Sequence, residues 1–321
     1  MPVTAIPPHH DGMQVLATRL KVKHLDLFRN VCELRNLHRA AQASHMTQPG
    51  ATKLIREIED MFGVPLFERG RHGMSLTHYG QTLHRHVSVL MGDITSMQNE
   101  MLLMSQGAVG QVRLGVLPSV SSDLIALAIA NTRALNPGTR FSIVEAPASD
   151  LVASLLRSEL DLTFGRVLDL DVARTLRIVD VYAESFSIVV RAGHPLLGKR
   201  RPRLDQLNQA AWILPAAGTP MRNLIDSQFT QDAALRPSPT VECNSFEKMY
   251  HLIARTDMLS LLPRGMAQQG QSRGDLDVLR YELGASFAPV SLIFRGNAES
   301  PPGIANFAQA VLEAAKALGL S

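Results

Sequence analysis

Cysteine, tryptophan and long apolar runs are what this 321-residue chain has least of. Its two cysteines, Cys32 and Cys243, form no Cys-x-x-Cys pair, which excludes a disulfide framework and a cysteine-based metal site. Each thiol reads as packed, and Cys243 alone in the second half leaves no two-cysteine redox switch there. No stretch approaches the ~20 consecutive apolar residues of a membrane-spanning helix. Residues 1–12 carry neither the basic nor the apolar segment of an export signal, so a cytoplasmic location without a membrane partner is expected. Histidine is no scarcer than usual but lacks ligand spacing. His84 and His86, two apart on a helix, face different ways, and His78, His194 and His251 have no ligand-spaced partner. G-x-S-x-G, the Walker loop and G-x-G-x-x-G are missing, and Gly107-Ala108-Val109-Gly110 precedes a strand instead of following one. No metal, cofactor or catalytic residue is therefore expected, and the chain does not read as an enzyme.

What is present is unevenly charged. Residues 19–86 carry a net charge of +5 against +3 for the whole chain, so a basic head sits on a slightly acidic body. A basic head suits contact with phosphates. With 45% hydrophobic residues the chain can bury a large core, and its length suggests two domains or more.

Residues 37–80 are the most informative stretch. Ala40, Ala41 and Ala43 are small enough for two helices to cross closely. Thr47 can cap the next helix and Pro49 fits its first turn. That helix is expected over 48–62, with Ala51, Leu54, Ile55, Ile58, Met61 and Phe62 at helical spacing and Gly63 as the stop. Its polar side offers Thr47, Gln48, Pro49, Thr52, Lys53 and Arg56. Glutamine can bond adenine bidentately, threonine can reach a phosphate or a thymine methyl, and the cations neutralise phosphates. Two short strands, expected at 64–66 and 74–76, flank a polar turn in which Arg69 and Arg71 could enter a minor groove. This is the pattern of a winged helix-turn-helix that contacts double-stranded DNA.

A single long helix is expected over 77–106. Leu83, Val87, Leu90, Ile94, Met97, Met101 and Met104 alternate spacings of four and three, a narrow a/d seam with polar residues between. Such a seam calls for a partner helix, and two heads on a twofold axis would address two half-sites.

The order of Ala40-Ala41, Thr47-Gln48-Pro49, Ile58-Glu59, Gly63, Pro65-Leu66-Phe67, Arg69, Leu76-Thr77 and Gly80 resembles the LysR-type transcriptional regulators, over nearly the whole chain. Residues 47–53, Arg85-His86, Gly193-His194-Pro195-Leu196 and Trp212-Ile213-Leu214-Pro215 resemble the branch that regulates sugar-binding-protein and protocatechuate genes. Gly50 stands where the family usually has alanine, which loosens the helix by up to ~1 kcal/mol. The resemblance implies a dimer, or a tetramer as a dimer of dimers, on an interrupted palindrome. It further implies a small-molecule effector and leaves RNA polymerase open as another partner.

From residue 111 the pattern alternates strand and helix, which implies a parallel sheet covered by helices. The fold class expected is α/β: a winged helix-turn-helix, a long linker helix and a two-lobe effector domain like the periplasmic binding proteins. The divisions are a flexible tail 1–20, head 21–80, linker 77–106 and effector domain 111–321. Its first lobe takes 111–182 with 287–321, its second 183–286, and crossing segments fall near 179–184 and 283–289. Ligands in such sheets sit at the carboxyl ends of the strands. That rule nominates Ser119, Ser121, Ser122, Ala146 and Arg166 in the first lobe, and Thr219, Arg222, Asn244 and Ser245 in the second. Hydroxyls and open helix starts favour a polar or anionic ligand, although the same serines also serve as helix caps. Two alternatives are disfavoured: a transporter's solute-binding protein, which would lack the head, and a cleft enzyme, which would need a nucleophile with its base.

Overall fold

The computed structural model describes residues 16, 18–70, 73–105, 110–167, 170–198, 202–231, 237–281, 288–296 and 300–320. The chain divides into two compact units, Met1–Gln106 with Ala153–Leu160, and Gly107–Val152 with Asp161–Ser321. The expected effector domain of 111–321 is thus interrupted, because 153–160 groups with the first unit. Most of the expected tail lies outside the described residues.

The first unit opens with three helices, α1 (Val22–Leu34), α2 (Leu37–Ala43) and α3 (Gln48–Phe62). The Asn36 side chain accepts the Arg39 N–H at 3.0 Å and caps α2. Ala40 and Ala41 are buried, and their short side chains admit the core formed by Leu27, Phe28, Val31, Ala51, Ile55 and Ile58. Each large side chain there stabilises the head by about 1.5–3 kcal/mol. Thr47 caps α3, Pro49 sits in its first turn, and Gly63 ends it with φ of 67°.

The wing differs from expectation. Its strands are β1 (Phe67–Gly70) and β2 (Gly73–Leu76), antiparallel with Phe67 opposite Leu76 and Gly70 opposite Gly73. Residues 64–66 are not a strand because side chains claim their backbone. The Glu59 carboxylate accepts the N–H groups of Leu66 and Phe67 at 2.8 and 3.3 Å, and the Thr77 hydroxyl donates to Pro65 O at 2.7 Å. The long helix α4 (His78–Ser105) follows. At Gly80 a Cβ would lie 2.1 Å from the Leu66 carbonyl oxygen, so only glycine lets α4 approach that turn.

The a/d seam of α4 is divided. Val87 and Met91 are buried in the head's own core, and Leu83 and Ile94 pack partly against it. Leu90, Met97, Met101 and Leu102 are exposed, at 48, 54, 65 and 57%. The physical reasons are face and length: Leu90 lies off the side on which Val87 and Met91 pack into the head, and Met97, Met101 and Leu102 lie beyond Ile94, the last of the stripe to pack against it. The seam therefore does not serve a partner helix along its whole length. The Met104 side chain and the expected hinge at 107–109 lie outside the described residues.

Among its described residues the second unit carries three sheets, of five, three and two strands. The first comprises β3 (Gly110–Val116), β4 (Thr139–Glu145), β5 (Leu162–Gly165), β6 (Leu176–Tyr182) and, much later, β12. Helices α5 (Ser122–Leu135), α6 (Ala148–Leu156) and α7 (Leu170–Ala173) connect them. The second lobe holds β7 (Phe186–Arg191), a 3-10 turn (Pro195–Gly198), α8 (Leu204–Gln209), β8 (Trp212–Leu214), α9 (Pro220–Gln231), β9 (Pro239–Glu242), α10 (Phe246–Arg255), β10 (Ser260–Pro263), α11 (Arg264–Arg273) and β11 (Leu276–Val278). β12 (Val290–Arg295) then returns to the first sheet, and α12 (Pro302–Ala317) packs beside α5.

The first sheet runs β4-β3-β5-β12-β6 and is mixed, not parallel throughout. β3 is parallel to β4 and β5, whereas β12 is antiparallel to β5 and β6 because it arrives from the other lobe. Two separate hydrophobic cores follow. One centres on Leu114, Phe164, Leu292 and Phe307, the other on Ile188, Trp212, Ile253 and Leu261. The chain passes between them at residues 183–185, just beyond β6, and again ahead of β12; residues 282–287 lie outside the described set.

Candidate functional site

Two surfaces carry chemistry, one in each unit. In the head, α3 is amphipathic: Ala51, Ile55 and Ile58 face the core while Gln48, Pro49, Lys53 and Arg56 are exposed. The Thr47 hydroxyl accepts the Gly50 N–H at 3.4 Å, and the half-buried Thr52 donates its hydroxyl to Gln48 O at 3.0 Å. Lys53 Nζ lies 3.9 Å from Glu57 Oε1, an exposed pair that competes weakly with any anion. Arg69 stands in β1 opposite Met74; its side chain and the whole of Arg71 lie outside the described residues.

A polar network holds this helix pair in place, and no periodic pattern in the sequence announces it. Asp26 on α1 accepts from the Ser44 hydroxyl at 2.9 Å and from Asn30 Nδ2 at 3.2 Å, and Asn30 also donates to Ser44 Oγ at 2.7 Å. Ser44 follows α2 directly, and His45 turns the chain with φ of 54°. The turn between α2 and α3 is thereby tied to α1, so the exposed face of α3 is presented at a fixed angle. A helix with amide and cationic groups on one face, followed by a hairpin, can enter a major groove and contact phosphates.

In the second unit a cavity of about 270 Å3 opens where the strand ends, the first crossing segment and α12's end meet. Ser119, Ser121 and Ser122 line it, as do Tyr182 at the end of β6, Glu184 and Ser185 from the crossing segment, and Arg264, Gly265, Met266, Gln268 and Gln269 on the first half of α11. The Ser121 hydroxyl caps α5 by accepting the Leu124 N–H at 3.4 Å, and its own N–H donates to the Tyr182 hydroxyl at 3.3 Å. Gln269 donates to Asp123 Oδ2 at 2.6 Å, so α11 and α5 are joined.

Arg166 is not open to the cavity. It is buried and donates to the Glu184 carboxylate, to Ala288 O at 2.7 Å and to the Ser119 hydroxyl at 3.5 Å. Burial raises the Glu184 pKa above its ordinary value, against the opposing pull of Arg166. Burial, and then Glu184, raise that of Tyr182.

The other nominated residues lie apart from the cavity and hold loops. The Ala146 N–H donates to Val116 O at 3.3 Å. The Thr219 hydroxyl donates to Ala216 O at 2.8 Å and accepts the Arg222 N–H at 3.2 Å. Arg222 pairs with Asp226 at 2.9 Å and donates to Pro215 O at 3.1 Å. Asn244 Oδ1 accepts the Ala216 N–H at 3.0 Å, and Ser245 caps α10 through the Lys248 N–H at 3.3 Å. Sequence reasoning missed Tyr182, Glu184, Ser185 and Arg264. Pro263, a residue suited to a helix start, was the available signal for the last of these.

Among the described residues no three His, Cys, Asp or Glu side chains gather as a metal site, and no helix is long and apolar enough to cross a membrane. Burial pushes the Cys32 thiol up to about 12, which removes it from thiolate chemistry.

Residues 22–81 match the family model described as bacterial regulatory helix-turn-helix protein, lysR family, and residues 105–316 match the LysR substrate binding domain. The HTH-type transcriptional regulator GbpR of Azospirillum brasilense is 28% identical over 94% of this chain and 88% of its own. PcaQ of Agrobacterium fabrum, also an HTH-type transcriptional regulator, is 28% identical over 92% of this chain and 96% of its own. Among solved structures, a full-length OxyR variant from Pseudomonas aeruginosa matches with a TM-score of 0.62 at 20% identity, covering 91% of this chain and 98% of that one. Full-length CbnR in complex with its target DNA matches with a TM-score of 0.60 at 20% identity, covering 92% of this chain and all of that one. The chain belongs to the LysR family of transcription regulators, with a DNA-binding helix-turn-helix head and an effector-binding domain, and is a regulator and not an enzyme.

Proposed function

We propose that this regulator acts in the cytoplasm as a homo-oligomer, with paired α3 helices on an interrupted palindrome, and that a small polar or anionic metabolite between the two lobes controls it. Gln48 and Thr52 read base edges, Thr47, Pro49, Lys53 and Arg56 set the approach to the backbone, and Arg69 and Arg71 serve the wing. The observation that carries this reading is the division of α3 into a packed face of Ala51, Ile55 and Ile58 and an exposed polar face, held by the Asp26, Asn30 and Ser44 network. Assembly uses the exposed apolar positions of α4, Leu90 on the face turned from the head's core and Met97 and Met101 beyond it. The working divisions are the head at 21–80, α4 as linker, and two lobes that exchange chain at residues 183–185 and ahead of β12.

The effector enters the cavity beside Ser119, Ser121 and Ser122. It acts as a switch only by favouring one geometry of the assembly, since equal affinity for two states shifts neither. The test is selection of bound duplexes from a random pool, followed by fluorescence anisotropy with and without candidate metabolites. A twofold-symmetric consensus whose affinity or footprint changes with one metabolite supports the reading. Sequence-independent binding with a full salt dependence overturns it.

A further inference from the structure

His24 sits in the head only 3% exposed, in the first turn of α1. Its Nδ1 accepts the N–H of Lys21, the N-cap residue, at 3.0 Å, the service that glutamate or glutamine gives in a capping box. That bond puts the ring proton on Nε2. Nε2 is sealed from solvent and finds no hydrogen-bond partner among the described residues. Glu57 Oε2 on α3 stands opposite it at 3.4 Å, beyond the range of a full hydrogen bond.

Glu57 is stretched between two donors. Its Oε1 lies 3.9 Å from Lys53 Nζ, one turn earlier on α3, so the carboxylate closes neither contact tightly. The Lys53 side chain is 79% exposed and that of Glu57 42%, and an open pair of this kind contributes little. A sealed N–H without an acceptor, by contrast, costs the desolvation of the donor. Solvent and the ammonium hold the carboxylate outward while Lys53 stays beside it. Once Lys53 moves to another anion, the inward position is favoured, because it satisfies the buried N–H at the loss of nothing but water.

We propose that Glu57 is an exchange partner: when Lys53 leaves it for a DNA phosphate, the carboxylate turns inward to the Nε2–H of His24. His24 is then a positioning residue for DNA binding. It gives the released carboxylate a donor, so the head neither keeps an unpaired N–H nor turns an unpaired anion toward the phosphates. The exchange rests on the reading of Lys53 as a backbone contact. No base takes part, so it raises affinity for all sequences alike and leaves discrimination unchanged.

Fluorescence anisotropy on the full chain at several salt concentrations, with a duplex of the selected consensus and one of random sequence, tests this. Lys53→Met should weaken both duplexes alike and lower the salt slope by about one unit. His24→Phe lacks the donor and should weaken both by about threefold to tenfold when Lys53 is present, and by less than about twofold beside Lys53→Met. His24→Gln keeps an acceptor for Lys21 and a donor for Glu57, and should bind within about twofold of wild type. A second measurement needs no variant of His24 to fold. In protein with isotope-labelled histidine, the Nε2–H proton of His24, assigned through its contact with the Lys21 amide, should move downfield when duplex is added. In Lys53→Met it should lie there already without DNA. Equal losses from His24→Phe with and without Lys53, or a His24 signal that responds neither to DNA nor to Lys53→Met, overturn the exchange and leave Lys53 as a phosphate contact. Unchanged affinity and salt slope in Lys53→Met overturn that contact and the exchange with it.

Discussion

Arg166 and Glu184 face each other inside the second unit with side chains only 4% exposed, one at the end of β5 and the other in the first crossing segment. The same guanidinium holds Ala288 O, just before β12, and the Ser119 hydroxyl beside the cavity. One arginine therefore touches the ligand loop and both connections between the lobes. A carboxylate ligand cannot use it without breaking the Glu184 pair, so its role is to position the hinge.

Removing either partner should be costly and removing both should not. Arg166→Met leaves a buried carboxylate, Glu184→Gln leaves a buried cation, and each is expected to lose about 3–5 kcal/mol. The double variant should lose less than the sum of the singles, because neither charge remains. Urea unfolding of the four proteins closes the cycle, and additive losses would show that the two side chains are not coupled.

In the head, base reading and phosphate contact should separate by residue. Gln48→Ala should reduce discrimination at one base pair by ~1–3 kcal/mol, while Arg56→Ala should weaken all sequences alike and lower the salt slope by about one unit. Gel shifts over a panel of mutated half-sites at several salt concentrations measure both. Undiminished discrimination in Gln48→Ala would remove that side chain from the base-reading set.

The head was legible because its boundaries are written in residue chemistry. Thr47, Pro49 and Gly63 each have one structural use, and the structure puts all three to it. The wing strands shifted because long-range side chains settle them: nothing local announces that Glu59 will claim the N–H groups of Leu66 and Phe67. Periodicity read α4 as one stripe, yet where a stripe finds cover depends on how far the head reaches along it, which tertiary packing decides. The start of α11 was missed for a similar reason. Gln268 and Gln269 break any apolar stripe and Gly265 and Gly270 lower the helix propensity, so the helix carrying Arg264 had little signal beyond Pro263. The Glu184 partner of Arg166 is likewise a matter of topology, because it lies across β6 in the chain.

The divided stripe of α4 makes a contrast that self-association can report. Met97→Glu places charge on an exposed apolar position and should weaken oligomers while leaving the melting temperature nearly unchanged. Ile94→Glu, one turn earlier, meets the head's own core and should destabilise the head. Sedimentation velocity and thermal melts on the full chain separate the two effects. If Met97→Glu sediments as the wild type does, assembly uses another surface.

His84 on α4 gives the head a pH dependence of known sign. Burial lowers its pKa below 6.5, with Glu33 opposing and Arg157 adding to the fall. The folded state therefore binds a proton less readily than the unfolded chain. Its contribution to stability is fully present above pH 6.5 and is lost as pH falls through the lowered value. Wild type should melt at a lower temperature in mildly acidic than in neutral buffer, and His84→Gln should narrow that difference, since glutamine has no proton to gain. The measurement is a pair of melting curves for each protein across that interval. Equal pH dependence in the two proteins would assign the loss of stability to other groups and leave His84 without a role in it.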